Sequence, residues 1–299
     1  MPRLTCPGAP LSVLSLAAGL LSAATPALAQ SAAAPAGAPA GAPGAAFRPA
    51  GPPPPQGWTM SVGVGTLVGT AWQGSRDTAL SVIPDLRINY RDRIFLSIPE
   101  GLGWNAINRD GWRIGPVLKP RFGRNEDNGG SPFQIVGGSN ALRGMGDIGV
   151  AGELGGFVEK RLGRTGQWRG RIEVRQGFGA HEGVVGDLSL TYGGRAGRVL
   201  YSVGPRATLA SRDFMQTYFG VNAAQAARTG LAVSRPDGGL VSWGLGGNLI
   251  RPLDRRRAVS LFAGIDRLGD APAGSALIRQ RGQRTSYAAG LLYSFRFGL

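Results

Sequence analysis

The sequence predicts an all-β fold: a transmembrane antiparallel β-barrel of about twelve strands, with a short helix in one long outer loop. Three observations carry that expectation. From Trp58 to Phe297 apolar residues return at every second position, segment after segment, which is the period of a strand. No segment after the N-terminus holds a run of some 18 apolar residues, so no helix is available to cross a bilayer. An export signal heads the chain, which directs those strands to the cell envelope.

Residues 1–29 read as that signal. Arg3 supplies the positive charge, Leu11 to Leu21 the apolar core, and Ala27-Leu28-Ala29 the small-x-small site, so cleavage is expected after Ala29. The apolar stretch is short and is interrupted by Gly19 and Pro26, which argues against a membrane anchor. Residues 30–57 are almost entirely Ala, Pro and Gly and end in Pro52-Pro53-Pro54-Pro55. Such a segment buries too little apolar surface to fold and reads as a disordered, partly polyproline II tether. The barrel is expected over 58–299.

The dyad pattern is plain in individual strands. Trp168, Ile172, Val174 and Phe178 face one way, and Arg169, Arg171, Glu173 and Arg175 the other. Trp112, Ile114, Pro116 and Leu118 oppose Arg113, Lys119 and Arg121, while Tyr287, Leu291, Tyr293 and Phe297 oppose Ser286, Gly290 and Ser294. In a barrel one face meets lipid and the other the lumen. The strands are expected at 58–70, 79–90, 93–98, 101–107, 111–123, 145–160, 168–178, 184–195, 198–213, 239–251, 257–268 and 284–297. Splitting the third from the fourth at Pro99-Glu100-Gly101 gives an even number. It also puts the long connections, 71–78, 124–144, 214–238 and 269–283, on one side, as bacterial barrels require. A soluble β-sandwich is the rival, and the export signal opposes it.

Composition excludes several functions. The 299 residues carry 33 Lys+Arg and 18 Asp+Glu, a formal charge of +15. All but two of the basic residues, Lys119 and Lys160, are Arg, and they are spread along the chain, so no clustered nucleic-acid face is expected. Arg attracted to outer-membrane lipid headgroups or acidic glycan is the better account. A single cysteine, Cys6, and a single histidine, His181, leave no disulfide framework and no Cys- or multi-His metal site. His181-Glu182 falls in a short outer turn with no G-x-S-x-G elbow, and reads as an exposed loop histidine rather than a catalytic one. No catalytic, cofactor or metal residue is assigned.

Three groups are singled out as candidate sites. Arg113, Lys119, Arg121, Arg169, Arg171, Glu173 and Arg175 are expected in the lumen. They form either a basic ring that selects anions or a cross-strand ion-pair network filling a narrow barrel. Residues 222–230 break the dyad pattern and read as a short helix stopped by Gly230. Asn222, Gln225 and Arg228 on it are candidates for a plug or cap. Arg255, Arg256 and Arg257, in a short periplasmic turn, are the candidate partner contact.

The run Tyr218-Phe219-Gly220-Val221-Asn222-Ala223-Ala224-Gln225-Ala226-Ala227-Arg228-Thr229-Gly230-Leu231 resembles the most distinctive segment of the MipA/OmpV family. Leu142-Arg143-Gly144-Met145-Gly146-Asp147, Ile88-Asn89-Tyr90 and Asp266-Arg267-Leu268-Gly269-Asp270-Ala271 followed by Ile278 match as well. The resemblance spans about Trp58 to Phe297. It implies an outer-membrane barrel, and from the family's best-known member a non-catalytic scaffold joining a lytic transglycosylase to a penicillin-binding protein. The partners expected are therefore a murein hydrolase and a murein synthase in the periplasm. A small-solute channel is the alternative.

Overall fold

The computed structural model describes residues 57–130 and 132–298. The export signal and residues 30–56 of the tether lie outside the described residues.

Each dyad-patterned segment is a strand. β1 (Trp58–Thr70) and β2 (Thr78–Tyr90) are followed by the short β3 (Ile94–Ser97), β4 (Gly101–Trp104) and β5 (Ile107–Arg109), then β6 (Trp112–Arg121). β7 (Gln134–Gly137) lies within the next connection. Long strands resume with β8 (Ala151–Leu162), β9 (Trp168–Gly179), β10 (Val184–Ala196) and β11 (Val199–Ala210). β12 (Gly239–Pro252), β13 (Arg257–Leu268) and β14 (Thr285–Gly298) complete the sheet. All neighbours are antiparallel, and β14 returns to β1 with Val62 opposite Phe295. Of the fourteen strands among the described residues, β5 continues beside β6 below β4, and β7 lies against β2 outside the ring. A closed barrel of twelve strands remains. The hairpin of β3 and β4 is two separate strands, and closure leaves no unpaired long edge in hydrocarbon.

The polarity of the wall is inverted relative to a water-soluble protein. Val64, Leu154, Ile172, Val174, Trp243, Leu245 and Leu291 are each more than half exposed on the outer face. Glu153, Glu159, Glu173, Arg175, Asn248, Asp266 and Ser286 are buried on the inner one. Only lipid around the barrel reconciles an apolar exterior of that extent with folding, and this inversion removes the β-sandwich. Aromatic rings gather where strands meet the short turns. Trp58 packs on Tyr90 at 4.7 Å, Trp168 on Tyr192 at 4.9 Å, and the Lys160 ammonium sits 4.6 Å from the Trp112 ring. Rings of this amphipathic kind belong at headgroup level.

All the long connections lie at one end. There they fold into an apolar core built by Trp72, Leu142, Met145, Phe214, Met215, Phe219, Leu268, Leu277 and Ile278. Sequence periodicity does not anticipate how they do so. α1 (Arg212–Phe219) begins where the expected ninth strand, 198–213, was to end. Phe214, Met215 and Phe219 recur at helical spacing and are buried together, which outweighs two further residues of alternation. The expected sixth strand, 145–160, starts only at Ala151, because Met145 is drawn into the apolar core and Gly146 adopts a φ of 80°. α2 (Ala223–Thr229) is the expected helix. Asn222 Oδ1 accepts from Gln225 N at 2.8 Å, Gln225 Oε1 accepts from Asn222 N at 2.9 Å, and Gly230 stops the helix at φ 71°. This reciprocal cap satisfies two otherwise orphaned amides. α3 (Asp270–Ala273) and α4 (Ala276–Arg281) complete the last long loop.

Candidate functional site

The inner faces of β6, β8, β9 and β10 carry a ladder of ion pairs. Register sets it up: Arg113 lies opposite Glu159, and Glu159 opposite Arg171, so three strands alternate in sign across one row. Arg113 Nη1 is 3.6 Å from Glu159 Oε1, and its Nη2 reaches Asp92 Oδ2 at 2.5 Å. Arg171 donates to Glu173 Oε2 at 2.6 Å from Nη2 and lies 3.4 Å from Glu159. Higher in the barrel, Glu173 and Asp187 are like charges facing each other in register. Lys119 Nζ, 2.5 Å from Glu173, and Arg175, which donates to Asp187 Oδ2 at 2.6 Å and also to Glu173, make that juxtaposition tolerable. Next around the wall, Arg206 of β11 grips Asp266 of β13 with two bonds, 2.8 and 2.6 Å.

Glu153 is the hub at the upper end of the ladder. Its side chain accepts from Arg175 Nε at 2.7 Å, from Arg121, and from His181 Nε2 at 3.0 Å. His181 is therefore not the exposed loop residue that its turn position predicts: it is 2 % exposed and points into the barrel. Gly177 makes this possible, since a Cβ there would lie 2.1 Å from His181 Cε1. The Phe214 and Tyr218 rings of α1 pack edge-on against the imidazole, at 5.3 and 5.8 Å.

The lumen candidates are thus largely brought together. Arg113, Lys119, Arg121, Arg171 and Arg175 meet the carboxylates of Asp92, Glu153, Glu159, Glu173 and Asp187. Arg169 lies half-buried nearer the short turns, opposite Arg161. Each of these five cations meets at least one of the five carboxylates, and Arg161 also approaches Glu159 at 4.0 Å.

Above the ladder, the segments on which the family resemblance rests converge. Gln225 Nε2 donates to Met145 O at 2.6 Å and Arg228 Nε to Gly144 O at 3.0 Å, so α2 clamps the 142–147 turn. Glu126 holds the same turn by accepting from the Gly144 and Gly146 amides, each at 2.8 Å. Arg281 of α4 donates to Ala141 O, Arg143 O and Thr229 O. α2 buries none of its own side chains, while α1 and α4 contribute Phe214, Met215, Phe219, Leu277 and Ile278 to the apolar core at this end. Sequence reasoning places Glu153 on the lumen face without its role as hub, and misses the burial of His181, Trp72 and Arg124. Burial without a counter-charge lowers the Arg124 guanidinium to about 10, leaving it charged at neutral pH, and burial raises the Tyr218 phenol.

At the other end, Arg255 and Arg256 occupy the turn between β12 and β13, and Arg257 opens β13. Asp254 organises them, accepting from Arg256 N at 2.8 Å, Arg257 N at 2.7 Å and Arg257 Nε at 2.5 Å. Those backbone bonds hold its carboxyl at about 2.

Among solved structures the chain is similar to the COG4313 outer membrane channel from Pseudomonas putida F1, with TM-score 0.44 and 14 % identity over 81 % of this chain and 96 % of that one. It is similar to the NanC porin, with TM-score 0.36 and 11 % identity over 80 % and 98 %, respectively. An anion-selective porin from Comamonas acidovorans matches with TM-score 0.30 and 10 % identity over 80 % and 98 %. No curated protein matches in sequence. The family model described as MltA-interacting protein MipA matches residues 62–297, nearly the whole described barrel, and the chain belongs to that family.

Proposed function

We propose that this outer-membrane barrel is a non-catalytic scaffold for murein-remodelling enzymes, a lytic transglycosylase and a penicillin-binding protein, and that it carries no solute. One observation supports this above the others: the charges of the ladder on β6, β8, β9 and β10 pair with one another below an apolar core. A barrel so filled offers partners its rims rather than its interior. The family description, MltA-interacting protein, names a partner of that family, and the scaffold role is carried to this chain from it.

The short turns are the periplasmic side under the rule for bacterial barrels. Arg255 and Arg256 project there from a turn that Asp254 rigidifies, a preorganised basic contact for an acidic partner face. β1 begins with Trp58 at the same end, and the tether expected over 30–57 is proposed as a second contact after cleavage behind Ala29. The test is affinity capture from gently solubilised envelopes. A murein hydrolase or synthase recovered near one-to-one, and lost in a variant with Arg255, Arg256 and Arg257 changed to Gln, supports the reading. An empty capture with the barrel folded overturns it and returns the small-solute channel to first place.

A further inference from the structure

Of the three indoles beside the short turns, Trp112 is flanked by a cation on each neighbouring strand. Register across β5, β6 and β8 sets Arg109 opposite Trp112, and Trp112 opposite Lys160. Trp112 shares the lipid-facing side of β6 with Leu118, and both are exposed there, as is Arg109. The Lys160 ammonium lies 4.6 Å from the indole centroid and donates to Asp110 O at 2.8 Å. The other two indoles lack such flanks: Trp58 faces Tyr90, and Trp168 stands between Leu162 and Tyr192.

Protein carboxylates do not consume the two cations. Asp92 and Glu159, on the inner face, are taken by Arg113 and Arg161. Among the described residues no carboxylate pairs with Arg109 or Lys160. Asp110, exposed in the turn, offers Lys160 its backbone oxygen. Two cations against that one carboxylate leave a local excess of one positive charge. Both heads only donate, and an ammonium has three donors, so Lys160 retains some after Asp110 O. Toward the bilayer centre the same face turns apolar. Ile107, Ile114 and Val158 stand in register in the next row, and Leu102, Leu118 and Leu154 further on. Trp112 to Leu118 is about 20 Å along the strand at 3.3 Å per residue. Tilted by about 40°, it spans about 15 Å, the hydrocarbon of one leaflet.

We propose that Arg109, Trp112 and Lys160 bind the headgroup of one anionic phospholipid in the leaflet beside the short turns. Its phosphodiester lies between the two cations, and an acyl chain runs over Ile114, Val158 and Leu154. The indole holds the glycerol level, where amphipathic rings belong. One net negative charge answers the local excess of one positive charge, and basic residues at this depth attract acidic headgroups. A zwitterionic headgroup carries its own ammonium to the same cations and gains less. Free phosphate lacks the chain that the apolar rows receive. The site uses none of Arg255, Arg256 and Arg257, so it is independent of the scaffold reading.

The test is native mass spectrometry of the detergent-folded barrel, with dioleoylphosphatidylglycerol and dioleoylphosphatidylethanolamine supplied in equal amounts. Preferential retention of one phosphatidylglycerol per chain is expected. Arg109→Gln and Lys160→Gln should each weaken it by about fivefold, and the double variant by more. Trp112→Leu should weaken it by a smaller factor, and Arg255→Gln/Arg256→Gln should leave it at the parent's level. Equal retention of the two lipids, or a double variant that binds like the parent, would overturn the proposal. So would an equal loss in Arg255→Gln/Arg256→Gln, which would show diffuse attraction to a basic rim. Displacement of the lipid by inorganic phosphate at constant ionic strength would overturn it as well. Heat-dependent gel mobility checks that each variant is folded. Should the double variant fail to fold, Arg109→Gln decides alone: retention equal to that of the parent overturns the site.

Discussion

Replacing Glu153 by Gln is the sharpest perturbation of the lumen. The carboxylate is 1 % exposed and accepts from Arg121, Arg175 and His181. Gln keeps the shape and one acceptor oxygen but removes the charge. Arg175 retains Glu173 and Asp187, so it is only partly orphaned. Arg121 has no other carboxylate among the ion pairs of the described residues, and it is the group left stranded. Removing one partner of a buried pair costs about 3–5 kcal/mol. At about 1.4 kcal/mol per factor of ten, that is a shift of roughly two to four powers of ten in the unfolding equilibrium. Urea unfolding in lipid vesicles, followed by tryptophan fluorescence and the heat-dependent gel mobility of the barrel, measures it. The double variant Glu153→Gln/Arg121→Gln should be less destabilised than the sum of its singles, because the stranded charge is gone. The exposed pair of Arg212 and Asp237, 3.6 Å apart, is the control: Arg212→Gln should cost less than about 1 kcal/mol. A loss below about 1 kcal/mol for Glu153→Gln, or strict additivity in the double variant, would refute the account of the ladder.

Other outcomes follow from the same structure. Gly177→Ala pushes a methyl group into the His181 ring, 2.1 Å from Cε1, and should destabilise the barrel by about 1–3 kcal/mol in the same urea assay. Leu277 is fully buried in the apolar seal; Leu277→Ala should cost about 2–5 kcal/mol and admit small ions in a vesicle swelling assay that the parent fails. The Asp254 carboxyl is held at about 2 by backbone bonds, so its contribution to turn order is complete above its unfolded value near 3.8 and lost as pH falls through 2. A carboxyl-carbon titration with a midpoint near 4 would contradict that.

The barrel itself was legible because lipid enforces the period of two on every strand: Trp168 to Phe178 or Tyr287 to Phe297 cannot slip by one residue without inverting the wall. Strand number followed from Pro99-Glu100-Gly101 and the placement of long loops, and the structure separates β3 from β4 there. α2 was legible because Asn222, Gln225 and Gly230 spell its two ends locally. The seal was not. Arg212 and Asp213 read as the tail of a strand and 214–238 as an open connection until Leu277 and Trp72, remote in sequence, supply a surface for a helix to cover. His181 misled for the same reason, since its burial depends on Gly177 and on α1 above it, which no local pattern encodes. The opposing rows of Arg113, Glu159 and Arg171 were readable in kind, but their balance of charge depends on register.

Planar-bilayer recording of the purified, folded barrel tests the central claim most directly. A scaffold that carries no solute should show no stable unitary current at moderate voltage. Reproducible conductance steps whose size or ion selectivity changes on neutralising Arg113 or Arg171 would show an open lumen lined by those residues, and would contradict the closed scaffold.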